Sequence, residues 1–160
     1  MNFTIRQAIP DDFSSIRPLQ REIAEHHRKG RPELFKPDAA TCSEEAFLSR
    51  LQNSDHTILV AEDEAGLVVA YAFCWVNRIR NHPTYVDFDQ FYIDDICVHA
   101  PCKRSGIGKA LFARCKEIAT EKNCCTMELS VWAFNTEAVS FYKAMGMNER
   151  VLRMELLLSE

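Results

Sequence analysis

Gly106 and Gly108 stand one residue apart in KRSGIGKA, residues 103–110, with the cations Lys103, Arg104 and Lys109 around them. The apolar run FYIDDICVHA precedes them and the helix-like run LFARCKEIATEK follows. A residue without Cβ lets the backbone come close to a ligand and present successive N–H groups at a helix N-terminus. Placed where a strand becomes a helix, such a turn suits a phosphate or pyrophosphate. A nucleoside triphosphate is excluded by spacing, because Ala110 stands where Ser or Thr must hold magnesium. The dinucleotide fingerprint also fails, since Leu111 replaces its third glycine and the turn lies late in the chain.

A second set of chemical groups lies just upstream. Asp87, Asp89, Asp94 and Asp95 fall within nine residues, and a carboxylate cluster of that kind attracts a polycation or a basic peptide. The competing reading is a solvated acidic loop. Cys97 and Cys102 are available as nucleophiles, but neither has an adjacent His–carboxylate pair in the sequence to make a thiolate. His26 and His27 make no metal spacing with other ligands, and no metal site is predicted.

The elements that must position these groups follow from periodicity. Phe3 and Ile5 alternate with Thr4 and Arg6 as a short strand, and PDDFSSI starts a helix with Asp11 or Asp12 as its cap. Pro18 is expected to kink or divide that helix, and RKGRPELFKPDA predicts a loop or broken helix over 28–40. TCSEEAFLSRLQ reads as a second helix capped by Thr41 or Ser43. TILVAED, EAG and LVVAYAFCWV make an antiparallel hairpin, and FYIDDICV restores a strand at 91–98. Ile107, Ala110, Leu111, Cys115, Ile118 and Ala119 fall at helical spacing, and CTMELSVW forms a strand parallel to 91–98 across that helix. Asn135 caps TEAVSFYKAM, Gly146 ends it, and RVLRMELLL is predicted as a last strand.

With 160 residues, 47% of them hydrophobic, the chain fits one domain with a proper core, and no linker or repeat divides it. The net charge of −4 has no basic field for nucleic acid, which is excluded as a partner. Seven cysteines, without a CxxC pair and mostly in apolar segments, read as reduced thiols in a cytosol. No signal peptide and no membrane-spanning run is recognised, so a cytoplasmic protein without a membrane partner is expected.

DDICVHAPCKRSGIGKAL, followed about 30 residues later by NTEAVSFYKAMGM, resembles the GNAT superfamily of acetyl-CoA-dependent N-acetyltransferases. The pattern there is Arg/Gln-x-x-Gly-x-Gly/Ala after a central strand, then Asn and a Phe-Tyr-x-x-x-Gly helix. Both motifs match in order and spacing, while the first 55 residues match in layout alone. Lys103 departs from the usual Arg or Gln, keeping a cation but losing the planar fork.

The resemblance implies an α/β (α+β) fold over residues 1–160, a mixed, mostly antiparallel sheet with a splayed parallel strand pair, flanked by helices. It implies acetyl-CoA as co-substrate and no metal. Main-chain groups at Ile96, Cys97 and Val98 would meet the pantetheine arm. The amides of Arg104, Ser105, Gly106, Ile107, Gly108 and Lys109, with the charge of Lys103, would cradle the pyrophosphate. Asn135 would contact the cofactor arm and Tyr142 would face the thioester sulfur as proton donor to the leaving thiolate; an N-cap and a core tyrosine are the competing readings.

Asp94 matches the Glu of a Glu-Asp pair in the diamine acetyltransferases of this superfamily, which makes it the candidate base, acting directly or through a water. Asp95 would point to the opposite face of a regular strand and be structural, an alternation that a bulge would upset. The acceptor is expected to be a small-molecule or peptide amine, a diamine or polyamine first, with Asp87, Asp89 and Asp94 bordering its site. A protein N-terminus or lysine, an amino acid and an aminoglycoside remain open, as does a non-catalytic acyl-CoA sensor. The apolar C-terminal strand and the superfamily's habit point to a possible homodimer.

Overall fold

Strand β1 (Phe3–Gln7) opens the chain, and a short 3-10 turn (Pro10–Asp12) leads into helix α1 (Phe13–Gly30). The structure is a computed structural model that describes residues 2–158 and divides into two compact units, Met1–Ser130 and Val131–Glu160. Asp12 precedes α1, but its carboxylate turns back to accept from Ile9 N at 2.8 Å and to pair with Arg6 at 2.7 Å, so it ties the helix entry to β1. α1 continues through Pro18, so the proline does not divide it. Pro18 and Ser14, whose carbonyl loses its usual donor, are both exposed, so that carbonyl is open to solvent rather than buried without a partner. Buried Phe13, Ile16, Leu19, Gln20 and Ala24 hold the opposite stripe down.

Helix α2 (Glu44–Gln52) is capped by Ser43, whose Oγ accepts from Ala46 N at 3.2 Å. Strands β2 (His56–Asp63), β3 (Val68–Ile79) and β4 (Phe88–Val98) follow, then helix α3 (Ile107–Glu121) and strand β5 (Thr126–Leu129). The five strands lie in the order β1-β2-β3-β4-β5, all neighbours antiparallel except β4 and β5, which are parallel across α3. This is the mixed, mostly antiparallel sheet that the sequence predicts.

The two faces of the sheet are read from β3. Tyr71 and Phe73 join Phe13, Ile16, Leu19 and Phe47 in the core under α1 and α2, with the Phe47 ring 5.4 Å from Phe13 and 6.2 Å from Phe73. Cys74, on the alternate face, lies 3.7 Å (Sγ to Sγ) from Cys115 of α3, whose Leu111, Cys115 and Ile118 are buried. Each such side chain contributes about 1.5–3 kcal/mol by leaving water.

The second unit holds helix α4 (Thr136–Ala144). Asn135 Oδ1 accepts from Ala138 N at 3.2 Å. Gly146, at φ +91°, closes the helix: its N–H reaches Lys143 O at 3.0 Å and Met147 N reaches Tyr142 O at 3.0 Å. The last strand predicted from RVLRMELLL is absent, and residues 148–158 have no regular structure. Val151, Leu152, Met154, Leu156, Leu157 and Leu158 are each at least 67% exposed. The apolar pattern suits a sheet, but a strand also needs a neighbour for its N–H and C=O groups, and this unit supplies none among its described residues.

Candidate active site

The glycine turn is held from three sides. After β4, His99 N donates to Val69 O at 2.9 Å, Cys102 N to His99 O at 2.8 Å and Lys103 N to Ala100 O at 3.2 Å. Glu22 of α1 accepts from Ala100 N at 2.7 Å and lies 2.7 Å from His99 Nδ1, a clamp that only the tertiary structure reveals. Ser105 Oγ donates to Cys102 O at 2.5 Å. Arg104 at φ +65° and Gly106 at φ +90° then reverse the backbone into α3. A Cβ on Gly106 would meet nothing within 4 Å, so glycine is required there by its dihedral angle rather than by crowding.

Buried Ile107 pins the first turn of α3 to the core. The first intrahelical bond of that turn runs from Ala110 N to Gly106 O at 3.0 Å, so the amides of Ile107, Gly108 and Lys109 precede it and point out of the helix end. Lys103, Arg104 and Lys109 are exposed around them. Partial positive charge and open backbone meet at this turn, in a segment that carries three exposed cations, a combination that suits an anion such as a pyrophosphate.

β4 is where the sheet opens. Its pairing with β5 runs from Gln90↔Thr126 to Ile93↔Leu129 and stops. Its pairing with β3 continues through Asp95↔Phe73, Ile96↔Ala72, Cys97↔Tyr71 and Val98↔Ala70. Backbone groups of a strand alternate between its two neighbours, so those of residues 94–98 that face away from β3 lie beyond the end of the β5 ladder. Ile96, Cys97 and Val98 are on this stretch, as the resemblance implies.

Between Ile93↔Cys74 and Asp95↔Phe73 the register slips, and Asp94 is the residue left without a partner on β3. This bulge corrects the expected alternation: Asp95 faces the same side as Asp94, toward α2 and the loop before it. Asp94 is exposed, with Arg50 Nη1 of α2 at 3.4 Å. Half-buried Asp95 accepts hydrogen bonds from Tyr71 OH and, at 2.9 Å, from Thr41 Oγ1. Burial pushes the Asp95 carboxyl above the usual range, against the two hydrogen bonds, with the neighbouring Asp94 charge adding to the rise. Thr41 therefore serves Asp95 rather than the helix cap for which it was one candidate.

The other two acidic candidates are occupied elsewhere. Asp89 pairs with Arg78 at 2.7 Å and Arg80 at 2.6 Å, and Asp87 accepts from Asn81 N at 2.9 Å. Five residues along β4 separate Asp89 from Asp94, roughly 16 Å of strand. The structure does not gather Asp87 and Asp89 at Asp94. Arg50 stands beside Asp94, and an aromatic group lies next along the strands, where Tyr92 pairs with Trp75. The His56 and Trp75 rings lie 6.1 Å apart and the Trp75 and Tyr92 rings 4.8 Å, Tyr92 OH donates to Ser130 Oγ at 3.0 Å, and the Arg50 guanidinium rests 5.4 Å over Phe73. Arg50, Thr41 and Tyr71 were missed in the sequence because nothing local links them to residues 94–95.

Cys97 and Cys102 are both buried, and burial pushes the Cys97 thiol up to about 12. Cys97 is a thiol rather than a thiolate at neutral pH, which removes it as a nucleophile. In the second unit Tyr142 lies on α4, half-buried, its ring 5.2 Å from Phe141 in an edge-on contact. Asn135 spends its side-chain oxygen on the helix cap. Among the described residues no group of three or more His, Cys, Asp or Glu is arranged to hold a metal ion.

Residues 19–147 match the Acetyltransferase (GNAT) family. The chain belongs to that family. GNAT relatives extend the match over most of its length. Thialysine N-epsilon-acetyltransferase of Bos taurus is 29% identical over 148 residues, covering 89% of this chain and 82% of the relative. L-ornithine N5-acetyltransferase of Arabidopsis thaliana is 33% identical over 66 residues, covering 41% of this chain and 29% of the relative. A solved variant of the BH1408 protein from Bacillus halodurans superposes with a TM-score of 0.93 at 29% identity, covering 98% of this chain and 99% of that one. The aminoglycoside acetyltransferase AAC(6')-Iy, solved with CoA, shares the fold with a TM-score of 0.70 at 18% identity, covering 96% of this chain and 99% of that one. As a GNAT acetyltransferase, the protein moves an acetyl group from acetyl-CoA to an amine.

Proposed function

We propose that the protein acetylates the terminal amine of a small, cationic acceptor by direct attack within a ternary complex, with Tyr142 and Asp94 handling the protons. The observation that carries this reading is the succession of three features: the β5 ladder ends at Ile93, Asp94 bulges just beyond it on the same strand, and the Gly106 turn opens α3 after that strand ends. Bound there, acetyl-CoA supplies the activated acetyl group.

The chain's own residues do the rest. Amides at 104–109 and the charges of Lys103, Arg104 and Lys109 hold the pyrophosphate, and the backbone of Ile96, Cys97 and Val98 aligns the pantetheine arm, with Asn135 touching it. An alkylammonium has a pKa of about 10.4 and cannot attack until it loses a proton. Asp94, exposed on the strand beside the splayed edge, attracts the cation and passes its proton to water. Tyr142 gives its phenolic proton to the departing sulfur, a phenol near 10 being matched to a thiol near 8.5. Asp89 is paired to two arginines at 2.6–2.7 Å and Asp87 is tied to Asn81, whereas exposed Asp94 has Arg50 at the longer distance of 3.4 Å, which makes it the carboxylate best placed to serve the acceptor.

The family match spans both compact units, which supports one catalytic domain over residues 1–160. Seven free thiols suit a reducing compartment such as the cytoplasm. A homodimer would cover the exposed apolar run at 151–158 by giving it a partner; small-angle scattering that holds at monomer mass over a wide concentration range would contradict it.

Release of free thiol from acetyl-CoA across a panel of diamines, amino acids, aminoglycosides and peptides tests the function. Turnover with at least one small amine is expected. No thiol release with any amine, by protein that still binds CoA, would make the chain an acyl-CoA-binding module instead.

A further inference from the structure

A carboxylate beside an ammonium favours the charged form, so Asp94 alone would hold the acceptor as the cation that cannot attack. A second charge stands at the same carboxylate. Arg50, on the last turn of α2, brings its Nη1 to 3.4 Å from Asp94 Oδ2. The pairs Arg6–Asp12, Arg78–Asp55, Arg78–Asp89 and Arg80–Asp89 close to 2.6–2.7 Å, near the length of a charge-assisted bond. Arg50 stops short of that, its guanidinium stacked 5.4 Å over the ring of Phe73, which is buried and lies 6.2 Å from Phe47 of the same helix. The side chains of Arg50 and Asp94 are 25% and 36% exposed, so solvent screens the field between them only in part. Among the described residues the bond from Arg50 is the only hydrogen bond that the Asp94 side chain accepts, and it engages Oδ2 alone. Oδ1 is left to meet an acceptor.

We propose that Arg50 is a fixed positive charge that drives deprotonation of the acceptor: with the amine held at Asp94, the guanidinium disfavours the ammonium and so supplies the free base that attacks acetyl-CoA. This rests on the reading of Asp94 as the group that meets the reacting amine. The N–H bond of the ammonium breaks, the proton goes to the Asp94 carboxylate and on to water, and the electron pair stays on nitrogen. An ammonium in contact with Asp94 lies within about 8 Å of the guanidinium, because both touch one carboxylate. At that range the like charge raises the free energy of the cation and leaves the neutral amine nearly unaffected. The titratable groups around the pair are Asp95 and Tyr92 on β4, Tyr71 and Cys74 on β3, His56 after Asp55 at the start of β2, and Cys42 before α2. His56 senses the same field: burial holds its imidazole below the usual range, the Arg50 charge adds to that, and Asp55 and Asp94 oppose it. Burial pushes the thiol of Cys42 and the phenol of Tyr71 upward, and burial with the Cys115 contact does the same to the Cys74 thiol, so these groups stay neutral around pH 7.

A neighbouring charge moves a pKa by about 1–3 units, and the partial exposure of this pair places the effect near one unit, roughly a factor of ten in free base. Because Arg50 acts on the cation alone, removing its charge strengthens binding of the ammonium and lowers the share of free base by the same factor. In Arg50→Gln, KM and kcat should therefore fall together, each about tenfold near pH 7, while kcat/KM stays within about threefold of wild type. The kcat deficit should shrink to about twofold by pH 10, where the bound amine is mostly or half free base in both proteins. Arg50→Lys keeps the charge and should hold both constants within about threefold of wild type. The probe is whichever amine of a panel of diamines, amino acids, aminoglycosides and peptides has the highest wild-type kcat/KM, followed by thiol release from pH 7 to 10, with single-turnover rates to isolate the chemical step. A KM that rises or is unchanged in Arg50→Gln overturns the inference, as does a kcat deficit equal at pH 7 and pH 10. Wild type alone tests it without any variant having to fold: its kcat should rise with an apparent pKa at or below that of the free amine, and a value above it overturns the inference. Asp94→Asn, measured in parallel, separates the two claims. Loss of kcat/KM there, with no joint fall in Arg50→Gln, removes the role of Arg50 alone; an unchanged Asp94→Asn, or no turnover with any amine, removes both.

Discussion

Replacing Tyr71 with Phe removes one oxygen from the core and nothing else. The ring is fully buried between Phe73, 4.9 Å away, and the α1 side of the core, so its packing is retained. What is lost is one of the two side-chain hydrogen bonds to Asp95, leaving Thr41 alone. A hydrogen bond to a charged group is worth about 1.5–3 kcal/mol, and half-buried Asp95 places the loss near the lower end, about 2 kcal/mol where the carboxyl is ionised. At roughly 2–4 °C per kcal/mol for a chain of this size, the melting temperature falls by about 4–8 °C.

The sign of the pH dependence follows from Asp95 itself. Burial raises its folded pKa above that of the unfolded chain, so its favourable, protonated form stabilises the fold fully below the unfolded pKa of about 3.9, and that contribution is lost as pH rises through the folded value. The Tyr71 hydroxyl softens the loss by donating to the carboxylate. In Tyr71→Phe the deficit should therefore be smaller at acid pH, about 1 kcal/mol for a neutral hydrogen bond, and grow toward about 2 kcal/mol as rising pH ionises the carboxyl. Urea unfolding of both proteins at half-unit pH steps measures it. A deficit that is flat or shrinks as pH rises would refute the assignment of a carboxylate–phenol contact at the bulge.

Two further outcomes bear on the chemistry. Tyr142→Phe keeps the ring against Phe141 and should leave acetyl-CoA binding intact while kcat drops on the order of a hundredfold; wild-type kcat would make Tyr142 a packing residue. Asp94→Asn should lower kcat/KM, with the loss shrinking as pH approaches about 10.4, where the amine is already free base. An equal loss at every pH would show that Asp94 orients the amine without taking part in its deprotonation.

Much of the fold was legible because its signals are local. The hairpin of β2 and β3, the β4–turn–α3 junction and the Asn135 and Gly146 caps of α4 all rest on periodicity or on residues a few positions apart. The failures have one common cause, dependence on distant partners. Pro18 reads as a break until the exposed position of Ser14 is known, and RVLRMELLL reads as a strand although no neighbour is visible to the chain's own pattern. The bulge at Asp94 leaves no signature in FYIDDICV, since it arises from a register shift against Phe73 and Cys74. For the same reason Asp89 passed as a free carboxylate, its partners Arg78 and Arg80 lying across the hairpin, and Arg50 went unnoticed 44 residues before Asp94.

The central claim is that the turn at 103–109 holds the pyrophosphate of CoA, and calorimetric titration of acetyl-CoA into wild type and Gly108→Val tests it most directly. Gly108 lies in the first turn of α3, where valine has a better helix propensity than glycine, so the fold is preserved while a branched side chain enters the space the phosphates need. Wild type should bind with a measurable enthalpy, and the variant, shown to be folded by circular dichroism, should lose at least about two orders of magnitude in affinity, a crowding cost near 3 kcal/mol. Equal affinity in the two proteins would contradict the claim.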